Sequence, residues 1–209
     1  MKKNIKIIEK LKFKKNVFLS ILILSIFLSC SSDSEIKDIK STTACDSTNT
    51  TFNQLYTQTA IDNFDEITLD TSIHSYTFEV LTSKNICSIG YQSYHDIPST
   101  PYHIEIFNNT TNSLTYSSDL VFSGTHISYV NVGSIPLIVG NSYTIKRFQN
   151  NFNNNAINCI GRVITSNLNN NNDRFSMPLQ LGDLKITRTD SGIPEFENMF
   201  LPYIDMVFE

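Results

Sequence analysis

The feature that most constrains this chain is a period of two in its apolar residues, repeated along most of its length. Tyr76, Phe78 and Val80 alternate with Thr77 and Glu79, and Tyr102, Ile104 and Ile106 alternate with His103 and Glu105. Successive side chains of a strand point to opposite faces, so each run predicts a half-buried strand. Further strands are expected at Ile86 to Tyr94, Ser113 to Phe122, Thr125 to Val132, Ser142 to Phe148, Ile157 to Thr165, Gly182 to Arg188 and Phe200 to Phe208. Turn signals separate them: Pro98-Ser99-Thr100-Pro101, Asn108-Asn109, Ser123-Gly124, Gly140-Asn141 and Asn-rich runs near residues 150 and 170. About nine short strands, with no long 3.6-residue period beyond the N-terminal segment, imply an all-β fold: an antiparallel β-sandwich, jelly-roll-like. Phe52 to Ile61 is expected to form at most a turn or two of helix. The residues in excess are Asn, Ser, Thr and Ile, which suit pleated strands and polar turns.

The N-terminus reads as an address. Seven lysines precede Val17 to Leu28, a twelve-residue apolar run interrupted only by serines. As a helix it would reach roughly 18 Å, short of the ~30 Å hydrocarbon core, so it reads as a signal-peptide core and not a span. Phe27-Leu28-Ser29-Cys30 resembles a lipobox, in which the thiol takes a diacylglycerol thioether before cleavage in front of the cysteine. Residues 1–29 are thus expected to be a lipoprotein signal peptide, with Cys30 the lipidated residue. Acyl chains buried at about 0.8 kcal/mol per methylene would anchor the product durably. Ser31 follows the cysteine, and Ser32-Asp33-Ser34-Glu35 resembles the short acidic stretch that sends Bacteroidetes-type lipoproteins to the outer face of the outer membrane. The expected address is a lipid-anchored, surface-exposed position there. Residues 30–51, rich in Ser, Thr and Asp, read as a flexible tether to a domain at 52–209.

The formal charge of −4 conceals a more acidic body. Without residues 1–29 the basic residues fall from 16 to 9 and the acidic from 20 to 19, a net charge of −10. Such a surface has little with which to release counterions from a polyanion, so nucleic acid is set aside as a partner.

Between Ser75 and Arg147 the chain resembles a family of secreted bacterial β-sandwich modules known only as a domain of unknown function, often found beside carbohydrate-active and immunoglobulin-like domains. The resemblance is carried by Phe78-Glu79-Val80, Ile89-Gly90-Tyr91, Ile104 to Phe107, Ser113-Leu114 and Ile135 to Tyr143. Phe107 stands where the family has a Trp. The resemblance implies the sandwich fold and supplies no catalytic residues.

Candidate chemistry is sparse. His103 and Glu105 share one face of a strand, which reads as a solvated polar face; the alternative is a pair of metal ligands with His126 as a third. No Gly-x-Ser-x-Gly elbow occurs. Asp62, Asp65, Glu66 and Asp70 form an acidic cluster suited to a solvated loop or Ca²⁺, and no other cofactor is expected. Tyr91, Tyr94, His95, Asp96 and Tyr102 surround one loop and form a candidate ligand-binding patch in which an aromatic ring would stack on a sugar. Cys87 and Cys159, each mid-strand, are one candidate disulfide, and Cys45 could instead capture either of them. Together these features point to a non-enzymatic envelope lipoprotein that binds a glycan or a protein. The alternatives are a small hydrolase working through a carboxylate pair or the His103–Glu105 face, and a structural subunit of an envelope complex.

Overall fold

In the computed structural model the described residues are 45–69, 71–93, 100–150, 160–167, 174–191 and 193–209, all within one compact unit, Thr42–Glu209. They form helix α1 (Thr51–Ala60) and strands β1 (Phe64–Leu69), β2 (Ile73–Val80), β3 (Lys84–Tyr91), β4 (Tyr102–Asn108), β5 (Ser113–Leu120) and β6 (Ser128–Leu137). Then come β7 (Ser142–Gln149), β8 (Ile160–Thr165), β9 (Leu179–Leu181), β10 (Leu184–Asp190), β11 (Phe200–Pro202) and β12 (Asp205–Phe208). The all-β expectation holds, with twelve strands among the described residues and not about nine. The acidic stretch read as a loop supplies β1, the short β9 pairs beside β10, and the terminal strand is two strands.

Every pairing is antiparallel. Six strands form one sheet in the order β5-β4-β7-β2-β10-β9, and two three-stranded sheets run β12-β3-β6 and β1-β8-β11. Alternate residues of the large sheet, among them Tyr76, Phe78, Ile104, Ile106, Ile145 and Ile186, enter one core with Ile86, Ile89, Ile135, Ile164, Leu201 and Met206 of the smaller sheets. The chain passes from one small sheet to the other between Pro202 and Asp205, so residues 201 to 207 are all buried. The segment expected as one strand, Phe200 to Phe208, therefore closes the protein's own core. Pro136 lies in β6, an edge strand where a missing N–H is tolerated. Gly140, with φ +84°, makes the β6–β7 turn read from Gly140-Asn141.

Helix α1 is more than the turn or two expected. Its apolar residues Phe52, Leu55 and Tyr56 follow the i, i+3, i+4 spacing and all are buried. Thr50 caps it, its hydroxyl accepting from the Asn53 N–H at 2.9 Å. The domain therefore reaches back beyond residue 52 into the segment read as tether. The disulfide also departs from the first candidate, since Cys87 is bonded to Cys45 and so is not available to Cys159. Cys159 lies outside the described residues.

Candidate functional site

Burial removes Tyr91 and Tyr102 from the sequence-predicted aromatic patch. Tyr91 and Tyr102 are each about 1% exposed and pack edge-on, 5.1 Å between centroids, with Phe122 against Tyr91. Because both tyrosines point inward on their strands, neither ring offers a face for a sugar. Over both rings lies Arg147, wholly buried, its guanidinium carbon 5.4 Å from the Tyr91 ring centre and 5.3 Å from that of Tyr102. Its Nη1 donates to the Thr71 carbonyl at 3.1 Å. The two ring faces and this carbonyl compensate part of the cost of burying the cation. Tyr94, His95 and Asp96 lie outside the described residues.

The acidic cluster is divided by the pleat of β1. Asp65 takes Arg162 in a two-point ion pair, Nε to Oδ1 at 3.0 Å and Nη2 to Oδ2 at 2.6 Å, and also accepts from the Tyr56 hydroxyl at 3.1 Å. The hydrogen bonds from Arg162 hold its carboxyl below the usual range. Arg162 in turn lies over the rings of Tyr56 and Tyr203, at 5.3 and 5.2 Å. Thr165 donates to Glu66 at 3.4 Å. Both carboxylates are thus engaged by protein donors, and Asp70 lies outside the described residues. Among the described residues no group of three or more His, Cys, Asp or Glu is arranged to hold a metal.

Asp62 has a different setting. It lines a cleft of about 290 Å³, where the turn after α1 meets the end of β8 and the segment leading to β9. Asn63, Ser166, Asn167, Arg174 and Phe175 complete most of the wall, with Ser176 and Leu179. Its frame is fixed by short bonds: the Asn63 side chain donates to the Thr59 carbonyl at 2.8 Å and accepts from the Asn167 N–H at 3.0 Å. The backbone N–H groups of Ser166 and Phe175 donate to Met199 and Asn198 at 3.0 and 2.7 Å. One carboxylate, one guanidinium, hydroxyls, carboxamides and one aromatic ring therefore surround a space the size of a small polar molecule. The cleft was missed in the sequence because its walls come from segments up to 117 positions apart; the only local signal was an Asp-Asn pair at the end of α1.

The His103–Glu105 pair is present, with Nε2 3.5 Å from Glu105 Oε1. On the other side of the ring, Nδ1 lies 2.7 Å from Asp119 Oδ1. Carboxylates on opposite edges of one imidazole do not converge on a single ion, which removes the metal reading. His126, the suggested third ligand, is bonded through Nδ1 to Ser123 and Thr125.

A last polar group is structural. Asp205 is fully buried and accepts from Thr50 at 2.8 and 2.7 Å, from Tyr129 at 2.8 Å and from Tyr203 at 3.4 Å. Burial raises its carboxyl above the ordinary value, against the pull of those donors, and the Tyr129 hydroxyl is pushed up to about 12, first by burial and then by Asp205. No protein-family model matches the chain, and no curated protein matches it.

Proposed function

We propose that the protein is an envelope lipoprotein, anchored through Cys30 at the outer membrane, whose β-sandwich binds a sugar residue of an extracellular glycan in the Asp62–Arg174 cleft. The single observation that carries this reading is the lining of that cleft. A sugar presents vicinal hydroxyls, which donate to a carboxylate and accept from guanidinium and amide N–H, and a C–H face that packs on an aromatic ring. Asp62, Arg174 and Asn167 supply the polar complements, and Phe175, 8% exposed and packed into the core, gives the cleft an apolar wall. At about 290 Å³ the space sits at the low end of ligand sites, which suits one sugar unit and not a buried polymer. The Cys45–Cys87 disulfide suits an oxidising compartment, as an exported protein requires.

The test uses the full chain produced with its leader in a Gram-negative host and extracted from membranes. Screened on a glycan array and then titrated, it is expected to bind a defined terminal sugar, and Asp62→Asn or Arg174→Ala should weaken that binding at least tenfold, about 1.4 kcal/mol. Absence of any glycan ligand, or unchanged affinity in both variants, would defeat the reading.

A further inference from the structure

The second polar constellation lies elsewhere, on the outward face of the six-stranded sheet. Antiparallel register sets His103 of β4 opposite Asp119 of β5, and Glu105 opposite Ser117. Because alternate residues share a face, Ser117 and Asp119 both stand beside the His103 ring. The bonds run in series: the Ser117 hydroxyl lies 3.0 Å from Nε2, and Nδ1 lies 2.7 Å from Asp119 Oδ1. An ionised carboxylate only accepts, so Asp119 holds the proton of the neutral ring on Nδ1. On that tautomer the Nε2 lone pair accepts from Ser117 at 3.0 Å, with the Glu105 carboxylate farther off, 3.5 Å from the same nitrogen. The side chains are open to solvent, His103 at 31% and Asp119 at 58%. The Phe148 ring lies 5.9 Å from the imidazole and walls one side.

We propose that Ser117 is an activated nucleophile toward O-acyl esters, with His103 as its base and Asp119 as a positioning residue. The connectivity is what acyl transfer requires: a hydroxyl bonded to a base, and the base bonded to an orienting group. Ser117 Oγ attacks the ester carbonyl carbon while its proton passes to Nε2. The carbon–oxygen bond to the alcohol then breaks, and His103 returns the proton to the departing oxygen. Water, deprotonated by His103, hydrolyses the acyl-serine to a carboxylic acid and restores Ser117. Phe148, on β7 across β4 from Ser117, backs the imidazole and leaves the side of Ser117 open to the acyl group.

The experiment treats the full-length protein with a fluorophosphonate probe and with 4-nitrophenyl acetate, locating adducts by peptide mass spectrometry. One adduct at Ser117 is expected, absent in Ser117→Ala. His103→Gln and Asp119→Asn should slow its formation at least tenfold, and Asp119→Glu should restore most of the rate. Glu105→Gln, which removes the carboxylate 3.5 Å from Nε2 and with it the pull toward a proton on that nitrogen, should keep or raise the rate. These exposed positions tolerate substitution, and unchanged circular dichroism verifies folding. Labelling confined to other serines, a rate unaffected by His103→Gln, or a Glu105→Gln loss as deep as that of Asp119→Asn would overturn the proposal. Binding of a glycan at the cleft is measured separately, so either proposal stands or falls alone.

Discussion

Asp205, Gly90 and Tyr129 lie on one line across three strands, Asp205 opposite Gly90 and Gly90 opposite Tyr129. A side chain at position 90 would meet the Tyr129 ring, whose Cε1 lies 2.4 Å from where a Cβ would stand. Glycine there lets the ring cross the middle strand and deliver its hydroxyl to Asp205. Gly90→Ala should therefore cost about 1–3 kcal/mol in urea unfolding, by overpacking and by displacing that hydroxyl. The same carboxyl gives a pH signature. Its folded-state value is raised by burial, so the folded protein holds this proton more tightly than the unfolded chain. That contribution is fully present below the unfolded value of about 4 and is lost as pH rises through the folded value. Between pH 4 and pH 8 the wild type should lose stability relative to Asp205→Asn, read as diverging urea midpoints. Parallel curves would show that Asp205 does not titrate between the two states. The alternation of β7 puts Arg147 on the inward side with Tyr143, Ile145 and Gln149, a local signal passed over in the sequence. Asp205 gave no such signal: on a single strand it would face away from Ile204 and Met206, and only the switch between sheets buries both sides.

At the scale of elements, the helix teaches how local preference yields to packing. Thr51–Ala60 is rich in Thr, Asn and Gln, poor helix formers apart from Gln, and ten residues alone are marginal in water. What stabilises it is tertiary: Phe52 stacks on Tyr76 at 5.3 Å and meets Tyr203 edge-on at 5.5 Å. Phe52→Ala should cost about 3–5 kcal/mol. Thr50→Ala, which removes the cap and a donor to Asp205 together, should cost about 1–2 kcal/mol. Thermal melts of the two variants test that order, and a cap mutant more damaging than Phe52→Ala would contradict it. Most strands were readable because their alternation is local. The pairing of β1 with β8, and of β4 with β5 in the register that assembles His103, Ser117 and Asp119, was not. Register depends on partners and bulges that a single strand does not encode.

At the scale of the whole molecule, the disulfide decides how the N-terminal arm is held. Cys45 and Cys87 enclose a loop of 42 positions that contains α1, β1 and β2. Chain entropy assigns a cross-link of that length about 4 kcal/mol of stabilisation through the unfolded state. Against total stabilities of about 5–15 kcal/mol this is a large share, so the oxidising compartment would be a condition of durable folding for this body. Reduction should lower the melting temperature by about 8–16 °C for a domain of this size. Cys45→Ser should melt near the reduced wild type and no longer respond to dithiothreitol. Peptide mapping without reductant should recover Cys45 linked to Cys87; a Cys87–Cys159 peptide, or a melting temperature indifferent to reductant, would refute this account. The consequence for anchoring is direct. If Cys30 is acylated as proposed, the attachment meets the body at residue 45 and not at residue 51 while the disulfide is intact. On that proposal, a proteolytic cut between residues 45 and 51 should release the body from membranes only when the disulfide has been reduced.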